Sequence, residues 1–357
     1  MLNHIGEIVP YLLDWFRYNA RILPWREEPK PYYVWISEIM LQQTRVEAVK
    51  GYFDGFITAL PDIRSLAEAE EEKLLKLWEG LGYYSRVRNL QKTAKILLKD
   101  YQGELPSDYN ELRKLPGIGA YTAGAIASIA YQRPAAAVDG NVLRVMMRIT
   151  AGYDDITREK TKQNLARIIE DIMPQDQPGD FNQSLMELGA TICLPNGKPL
   201  CEQCPVMHLC KAFHQGLIQS IPVKSQKKER RRENRTVLLI EYGKKTAIHK
   251  RMDKGLLTGL WEYPNLEGHY DRDEMMAITD AWGLNCASIE YIGVAKHIFT
   301  HIEWHMIGYH MILTEDPTDY SQSNQIIFAD SDQIREFYSI PNAFSAYTKF
   351  RENFHKD

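Results

Sequence analysis

The sequence predicts a multi-domain protein, an all-α domain followed by an α+β domain. Three observations carry that prediction. The chain has 357 residues, more than one domain ordinarily holds. Apolar residues recur at helical spacing as far as about residue 220. Beyond a basic stretch, β-forming runs broken by glycine take over.

The helical reading begins with Ile8, Leu12 and Phe16, which share one helix face, and residues 66–78 and 87–98 repeat the pattern. Pro106-Ser107 and Pro116-Gly117 punctuate the helices. In the second part, residues 236–242 and 246–250 read as two strands joined by Gly243-Lys244-Lys245, and residues 297–313 are rich in β-formers. The expected boundaries are a helical domain over 1–220, a basic linker over 221–235 and a second domain over 236–357.

Hydrophobic residues make up 44% of the chain and charged residues 25%, a folded and water-soluble balance. No apolar run approaches the ~20 residues of a membrane span. Residues 1–17 carry Glu7 and Asp14 without a small-residue cleavage pattern, so a cytoplasmic protein with no membrane association is expected. The net charge is −4, unevenly spread: −2 over 1–220, +7 over 221–250 and −9 over 251–357. Lys224, Lys227, Lys228, Arg230, Arg231, Arg232 and Arg235 carry the positive stretch. It reads either as a solvated linker or as a segment that tracks phosphates.

Four of the five cysteines, Cys193, Cys201, Cys204 and Cys210, fall within 18 residues. Thiols this close in a cytosolic chain seldom pair as disulfides, and four thiolates can hold zinc or a 4Fe–4S cluster. Zinc ribbons ordinarily show two C-x-x-C pairs; only Cys201 and Cys204 have that spacing here, and Pro205 follows. The iron–sulfur cluster is the expected cofactor. Cys286 stands apart and reads as a small buried hydrophobe.

Leu115-Pro116-Gly117-Ile118-Gly119-Ala120-Tyr121 lies between two helical stretches, the second rich in glycine, alanine and serine. Gly117 and Gly119 make a turn that leaves backbone N–H groups at a helix start, where a DNA phosphate can sit. This is a helix-hairpin-helix signature. Val138-Asp139-Gly140-Asn141 then precedes Val142, Val145 and Ile149 at helical spacing, so Asp139 sits at a helix N-cap. Capping is one role for its carboxylate; facing a sugar cation is another.

Hairpin, aspartate and four-cysteine loop, in that order, resemble the helix-hairpin-helix DNA glycosylase superfamily over about residues 5–215, within the branch that holds endonuclease III and the MutY adenine DNA glycosylases. Two features point to the second group. Tyr121 stands where the endonuclease III branch carries its lysine nucleophile, which implies an essentially monofunctional enzyme. Glu38, within Val34-Trp35-Ile36-Ser37-Glu38-Ile39-Met40-Leu41-Gln42-Gln43-Thr44, resembles the glutamate of the MutY catalytic helix, and its burial would raise its pKa. In that family the glutamate protonates the departing adenine.

The resemblance extends to the rest of the site. It implies that Trp25 and Arg26, in Leu23-Pro24-Trp25-Arg26, and Gln183 in Phe181-Asn182-Gln183 line an adenine pocket. It implies that Gln43, Thr44, Leu81 and Tyr83 contact DNA, with Gln43 and Tyr83 as wedges, and that Asn141 helps Tyr121 shape the site around Asp139. Residues 255–264 resemble the MutT-like, Nudix-like domain of the same family, and Phe299, Thr300 and His301 match its lesion-reading loop, with threonine where serine is usual. Residues 265–285 lack the glutamate-rich helix of a Nudix hydrolase, so nucleotide hydrolysis is not expected. The cysteine loop has seven residues between its first two ligands where the family has six; Asn196-Gly197 can absorb the extra one as a turn.

The resemblance therefore implies a base-excision-repair enzyme: a nucleoid-associated monomer that acts on double-stranded DNA and removes adenine mispaired with 8-oxoguanine or guanine. Other readings are a bifunctional endonuclease III-like glycosylase/lyase, a thymine or uracil glycosylase, and a non-catalytic DNA-binding redox sensor. Retention of both carboxyls, Glu38 and Asp139, weighs against the last.

Overall fold

A computed structural model describes residues 5–225, 229–252, 255–317, 321 and 325–354. The chain divides into two compact units: residues 1–69 with 85–226, and residues 70–84 with 227–357. The division into helical and α+β parts expected from the sequence is found. Among the described residues no helix is long and apolar enough to cross a membrane.

The first unit is helical. In chain order it contains α1 (Ile8–Asn19), α2 (Pro24–Glu27), α3 (Pro31–Leu41), α4 (Val46–Ala59) and α5 (Ile63–Glu68). After α6 (Glu71–Leu77), which belongs to the other unit, come α7 (Ser85–Asp100), α8 (Tyr109–Leu112), α9 (Ala120–Ala125), α10 (Gly140–Thr150), α11 (Glu159–Ile172), α12 (Pro178–Thr191) and α13 (Lys211–His214). One core joins Ile8 and Leu12 of α1 to Val142, Val145, Met146 and Ile149 of α10 and to Phe181, Leu185 and Leu188 of α12. The three- and four-residue spacing of those side chains is the amphipathic stripe that packs the helices. Helix α3 differs: residues 34–40 are all buried, the pattern of a helix surrounded by others.

The stretch 66–78 is not one helix. Ala69 is extended and ends α5, and α6 restarts at Glu71. The segment 70–84 then sits with the second unit rather than within the helical domain of 1–220. Its polar groups account for this. Glu79 accepts from the backbone N–H of Ile340 at 2.7 Å, Glu72 from Lys250 at 2.6 Å, and the Lys76 ammonium donates to the carbonyls of Ile334 and Tyr338 at 3.3 and 3.2 Å.

The second unit is built on a seven-stranded sheet of order β3-β2-β1-β6-β5. Its elements are β1 (Arg231–Tyr242), β2 (Lys245–Lys250), β3 (Trp261–Glu262), β4 (Asn265–Glu267), α14 (Arg272–Ala281), β5 (Cys286–Ile298), β6 (Ile302–Leu313), β7 (Ile326–Ala329), α15 (Ser331–Phe337) and α16 (Ser345–Phe354). Strand β4 pairs with β1 and β7 with β2. β1 and β6 run parallel, from Arg231 opposite Ile302 to Glu241 opposite Ile312. Val237 and Leu239 enter one core with Trp304 and Phe344, while Leu238 and Ile240 enter another with Met275 and Met311. Side chains alternate across a strand, so a strand covered on both faces reads as the unbroken run Val237-Leu238-Leu239-Ile240.

The linker expected over 221–235 is shorter than its charge suggested, because Arg231, Arg232 and Arg235 are part of β1. Arg235 is buried over the Trp304 ring at 4.3 Å and bonded to Asn265 at 2.9 Å. An arginine in a strand can shed water by stacking and pairing in this way. Lys227 and Lys228 lie outside the described residues.

Candidate active site

Helix α3 supplies Glu38, α9 supplies Tyr121, and the turn into α10 supplies Asp139 and Asn141. All four line one cleft of about 970 Å³ in the first unit, together with Trp25, Arg26, Gln183, Gln43, Thr44, Gly117 and Gly119. Residues up to 158 positions apart in sequence, Trp25 and Gln183, thus meet in one place.

Glu38 is buried, 5% exposed, and its Oε2 accepts a hydrogen bond from the Tyr121 hydroxyl. Burial pushes the Glu38 carboxyl up to about 7, and the neighbouring Asp139 acts in the same sense. The Tyr121 hydroxyl and the Arg26 charge act against the rise. A carboxylic acid poised near neutrality can deliver a proton at physiological pH.

Asp139 caps α10. Its Oδ1 accepts from the backbone N–H of Val142 at 2.7 Å and its Oδ2 from the Asn141 amide at 2.9 Å. Burial raises Asp139 above the ordinary aspartate value, while these donors favour its charged form. Gly189 brings α12 against this turn, since a Cβ there would lie 2.6 Å from the Cβ of Asn141. Gly117 adopts φ +77°, the left-handed region, and a Cβ would fall 2.8 Å from that of Asn89; the hairpin turn requires glycine on both counts.

Arg21 and Glu187 belong to no recognised motif of the sequence, yet both line the cleft. Glu187 is fully buried on α12. Its Oε1 accepts from Arg21 Nε at 2.6 Å, and its Oε2 accepts from Arg21 Nη2 at 3.0 Å and Arg26 Nη2 at 2.8 Å. Arg26 also donates from Nε to Gln183 at 3.0 Å and from Nη1 to the Arg21 carbonyl at 3.1 Å. The available signal was a lone glutamate in the apolar run 185–189, four residues after Gln183 and so on the same helix face.

Trp25 is buried, packs edge-on to Phe53 at 5.4 Å and also lines the cleft. The expected wedge pair is divided between the units: Gln43 belongs to the first and Tyr83 to the second. Both are left-handed without being glycine, at φ 59° and 49°. Leu81 is buried. In the second unit Phe299, Thr300 and His301 form the tip between β5 and β6. Phe299 packs on Trp304 at 4.9 Å, Thr300 and His301 are exposed, and the Thr300 hydroxyl lies 3.5 Å from that of Tyr83.

Cys193, Cys201, Cys204 and Cys210 are free thiols around one cavity, otherwise lined by residues such as Val145, Ile149 and Val206. Burial pushes the Cys204 thiol up to about 12. Arg148 of α10 donates from Nη1 to Cys193 Sγ at 3.2 Å, and Arg144 donates from Nε to the Cys193 carbonyl at 2.7 Å. Gly197, in the loop between Cys193 and Cys201, takes φ +74°. Among the described residues no three His, Cys, Asp or Glu side chains are grouped to hold one metal ion. A tetrahedral zinc site needs four ligands around one centre, whereas a cubic cluster takes one thiolate per iron. Four thiols lining one cavity are a donor set that suits a metal ion or an iron–sulfur cluster.

Residues 36–171 match the HhH-GPD superfamily of base excision DNA repair proteins, and residues 236–349 match the NUDIX domain. The chain is 34% identical over 378 residues to the adenine DNA glycosylase of Mus musculus, covering 89% of this chain and 73% of that protein. It is 38% identical over 257 residues to the adenine DNA glycosylase of Buchnera aphidicola subsp. Schizaphis graminum, covering 72% and 74%. Among solved structures, a thermostable thymine-DNA glycosylase is similar with a TM-score of 0.55 and 29% identity, over 60% of this chain and 98% of that one.

Proposed function

The chain belongs to the adenine DNA glycosylase family, and from that premise we propose that it hydrolyses the N-glycosidic bond of adenine mispaired with 8-oxoguanine in double-stranded DNA. The observation that carries the reading is the opposition of Glu38 and Asp139 in one cleft, the first held near neutrality and the second supplied with hydrogen-bond donors.

The adenine must leave the stack to reach Glu38, at a cost of a few kcal/mol. Trp25, Arg26 and Gln183 would hold the flipped base. Glu38, protonated, is the general acid that turns adenine into a leaving group. Asp139 stabilises the positive charge that develops on the sugar, electrostatically or covalently. Asn141 fixes the rotamer of Asp139, and Tyr121 fixes that of Glu38. Gly117 and Gly119 present N–H groups to a phosphate, and Gln43, Thr44 and Tyr83 meet the duplex beside the lesion. Thr300 and His301 read 8-oxoguanine.

Cys193, Cys201, Cys204 and Cys210 would hold a 4Fe–4S cluster. When bound, the cluster supplies four iron–thiolate bonds that cross-link residues 193–210. Arg148, which donates to Cys193 Sγ, would help to orient that ligand.

The test is a single-turnover glycosylase assay with adenine opposite 8-oxoguanine, guanine and thymine, followed by alkali. Excision fastest opposite 8-oxoguanine, with strand breaks appearing only after alkali, is expected. Equal rates opposite all three bases would remove the specificity, and no excision would remove the function.

A further inference from the structure

Among the described residues Glu187 has no hydrogen bond to Glu38, Tyr121 or Asp139, yet it is the most buried carboxylate of the cleft and holds two guanidinium groups. We propose that Glu187 is a positioning residue that locks Arg26 against the base pocket and screens its charge from Glu38. The proposal rests on Glu38 being the general acid.

The geometry leaves Arg26 little freedom. Each nitrogen of its fork has a separate acceptor: Nη2 on Glu187, Nε on Gln183 and Nη1 on the Arg21 carbonyl. Its guanidinium carbon also stands 5.3 Å from the centre of the Phe16 ring. Gln183 is thereby committed through its Oε1, which leaves its amide N–H₂ for a ligand. Glu187 is held in turn. Burial alone would raise its pKa, but the two arginines outweigh burial and keep it below the ordinary glutamate value, so it stays anionic.

The charges around Glu38 come from four directions. Tyr121 of α9, Asp139 at the start of α10 and Arg26 of α2 act on its titration. Arg86 of α7 donates to the carbonyls of Ile39, Met40 and Gln42 at the end of α3. Of these, Arg26 is the cation that Glu187 touches. Removing the Glu187 charge therefore has one sign. An unscreened Arg26 favours ionised Glu38 and lowers the pH at which Glu38 loses its proton.

The experiment measures single-turnover adenine excision from pH 5 to 9 for the wild type, Glu187→Gln and Arg26→Gln. In parallel, the carboxyl infrared band of Glu38, assigned by difference against Glu38→Gln, is titrated in the same proteins without DNA. Glu187→Gln should shift both the rate limb and the band downward by about one pH unit, which is about a tenfold slower reaction on the alkaline side. Arg26→Gln should shift both upward. A uniform rate loss at every pH, with an unmoved band, would make Glu187 a packing residue and overturn the proposal. If Glu187→Gln does not fold, an unmoved band in Arg26→Gln overturns it equally. A band that shifts as stated while the rate limb does not follow would leave Glu187 in its role and remove Glu38 as the acid.

Discussion

The Tyr121 hydroxyl donates to Oε2 of Glu38, so the residue at the position of a lyase lysine is tied to the carboxyl that would protonate the base. The bond favours the charged form of Glu38, while burial favours the neutral one and prevails. Tyr121→Phe removes the opposing influence. Its alkaline rate limb should therefore lie above the wild-type value, with a lower maximum from looser positioning. A pH–rate profile that coincides with the wild type would show that the bond has no part in the titration.

Glu38→Gln should cut excision by ~10²–10⁴-fold, the usual worth of a general acid, while a mismatch duplex still binds. It should also change stability with a definite sign. The folded-state pKa of Glu38 is raised from 4.5 to about 7. The contribution of wild-type Glu38 is thus fully present below pH 4.5 and is lost as pH rises through about 7. Relative to the wild type, the glutamine variant should gain stability between pH 5 and 8, by up to about 3 kcal/mol. Thermal melts at pH 5, 6.5 and 8 measure it, and a difference independent of pH would refute the linkage.

Strand nicking without alkali should be weak, because Tyr121 offers no amine for a Schiff base. Tyr121→Lys should raise the yield of borohydride-trapped protein–DNA complex above the wild-type background. Efficient trapping by the wild type would point to another nucleophile.

Protein isolated without air should be brown and contain iron and acid-labile sulfide. Cys204→Ser should lose most of the colour and lower the melting temperature, since Cys193, Cys204 and Cys210 pack against the core that contains Val145 and Leu188. Colourless protein with one zinc per chain would exclude the cluster.

Thr300→Ala with His301→Ala should reduce the preference for 8-oxoguanine over guanine opposite adenine by roughly tenfold or more, the worth of a base contact. Replacing Lys227 and Lys228 should instead weaken both duplexes together and flatten the salt dependence. Arg230 belongs in neither set, because its Nε donates to the Phe299 carbonyl at 3.1 Å and its loss would loosen the loop. Equal weakening of both duplexes by the loop variant would reduce Phe299–His301 to a hairpin tip without a reading role.

Much of the architecture was legible in short stretches. Ile8, Leu12 and Phe16 announce a helix face, and Asp139 announces an N-cap, because these features depend on neighbours within a few residues. The run 237–240 announces a strand for the same reason, and the four cysteines announce a cofactor loop by spacing alone. Tertiary structure decided the rest. The elevated pKa of Glu38 depends on burial and on Tyr121, Asp139 and Arg26, which lie 83, 101 and 12 residues away. Glu187 becomes part of the site only when α12 carries it to Arg21 and Arg26, over 160 residues before it in the chain. Arg235 reads as a linker charge until Trp304 and Asn265 come to meet it. Local propensity acts along the chain, whereas desolvation and pairing act through space, and only the folded chain determines which charges lose their water.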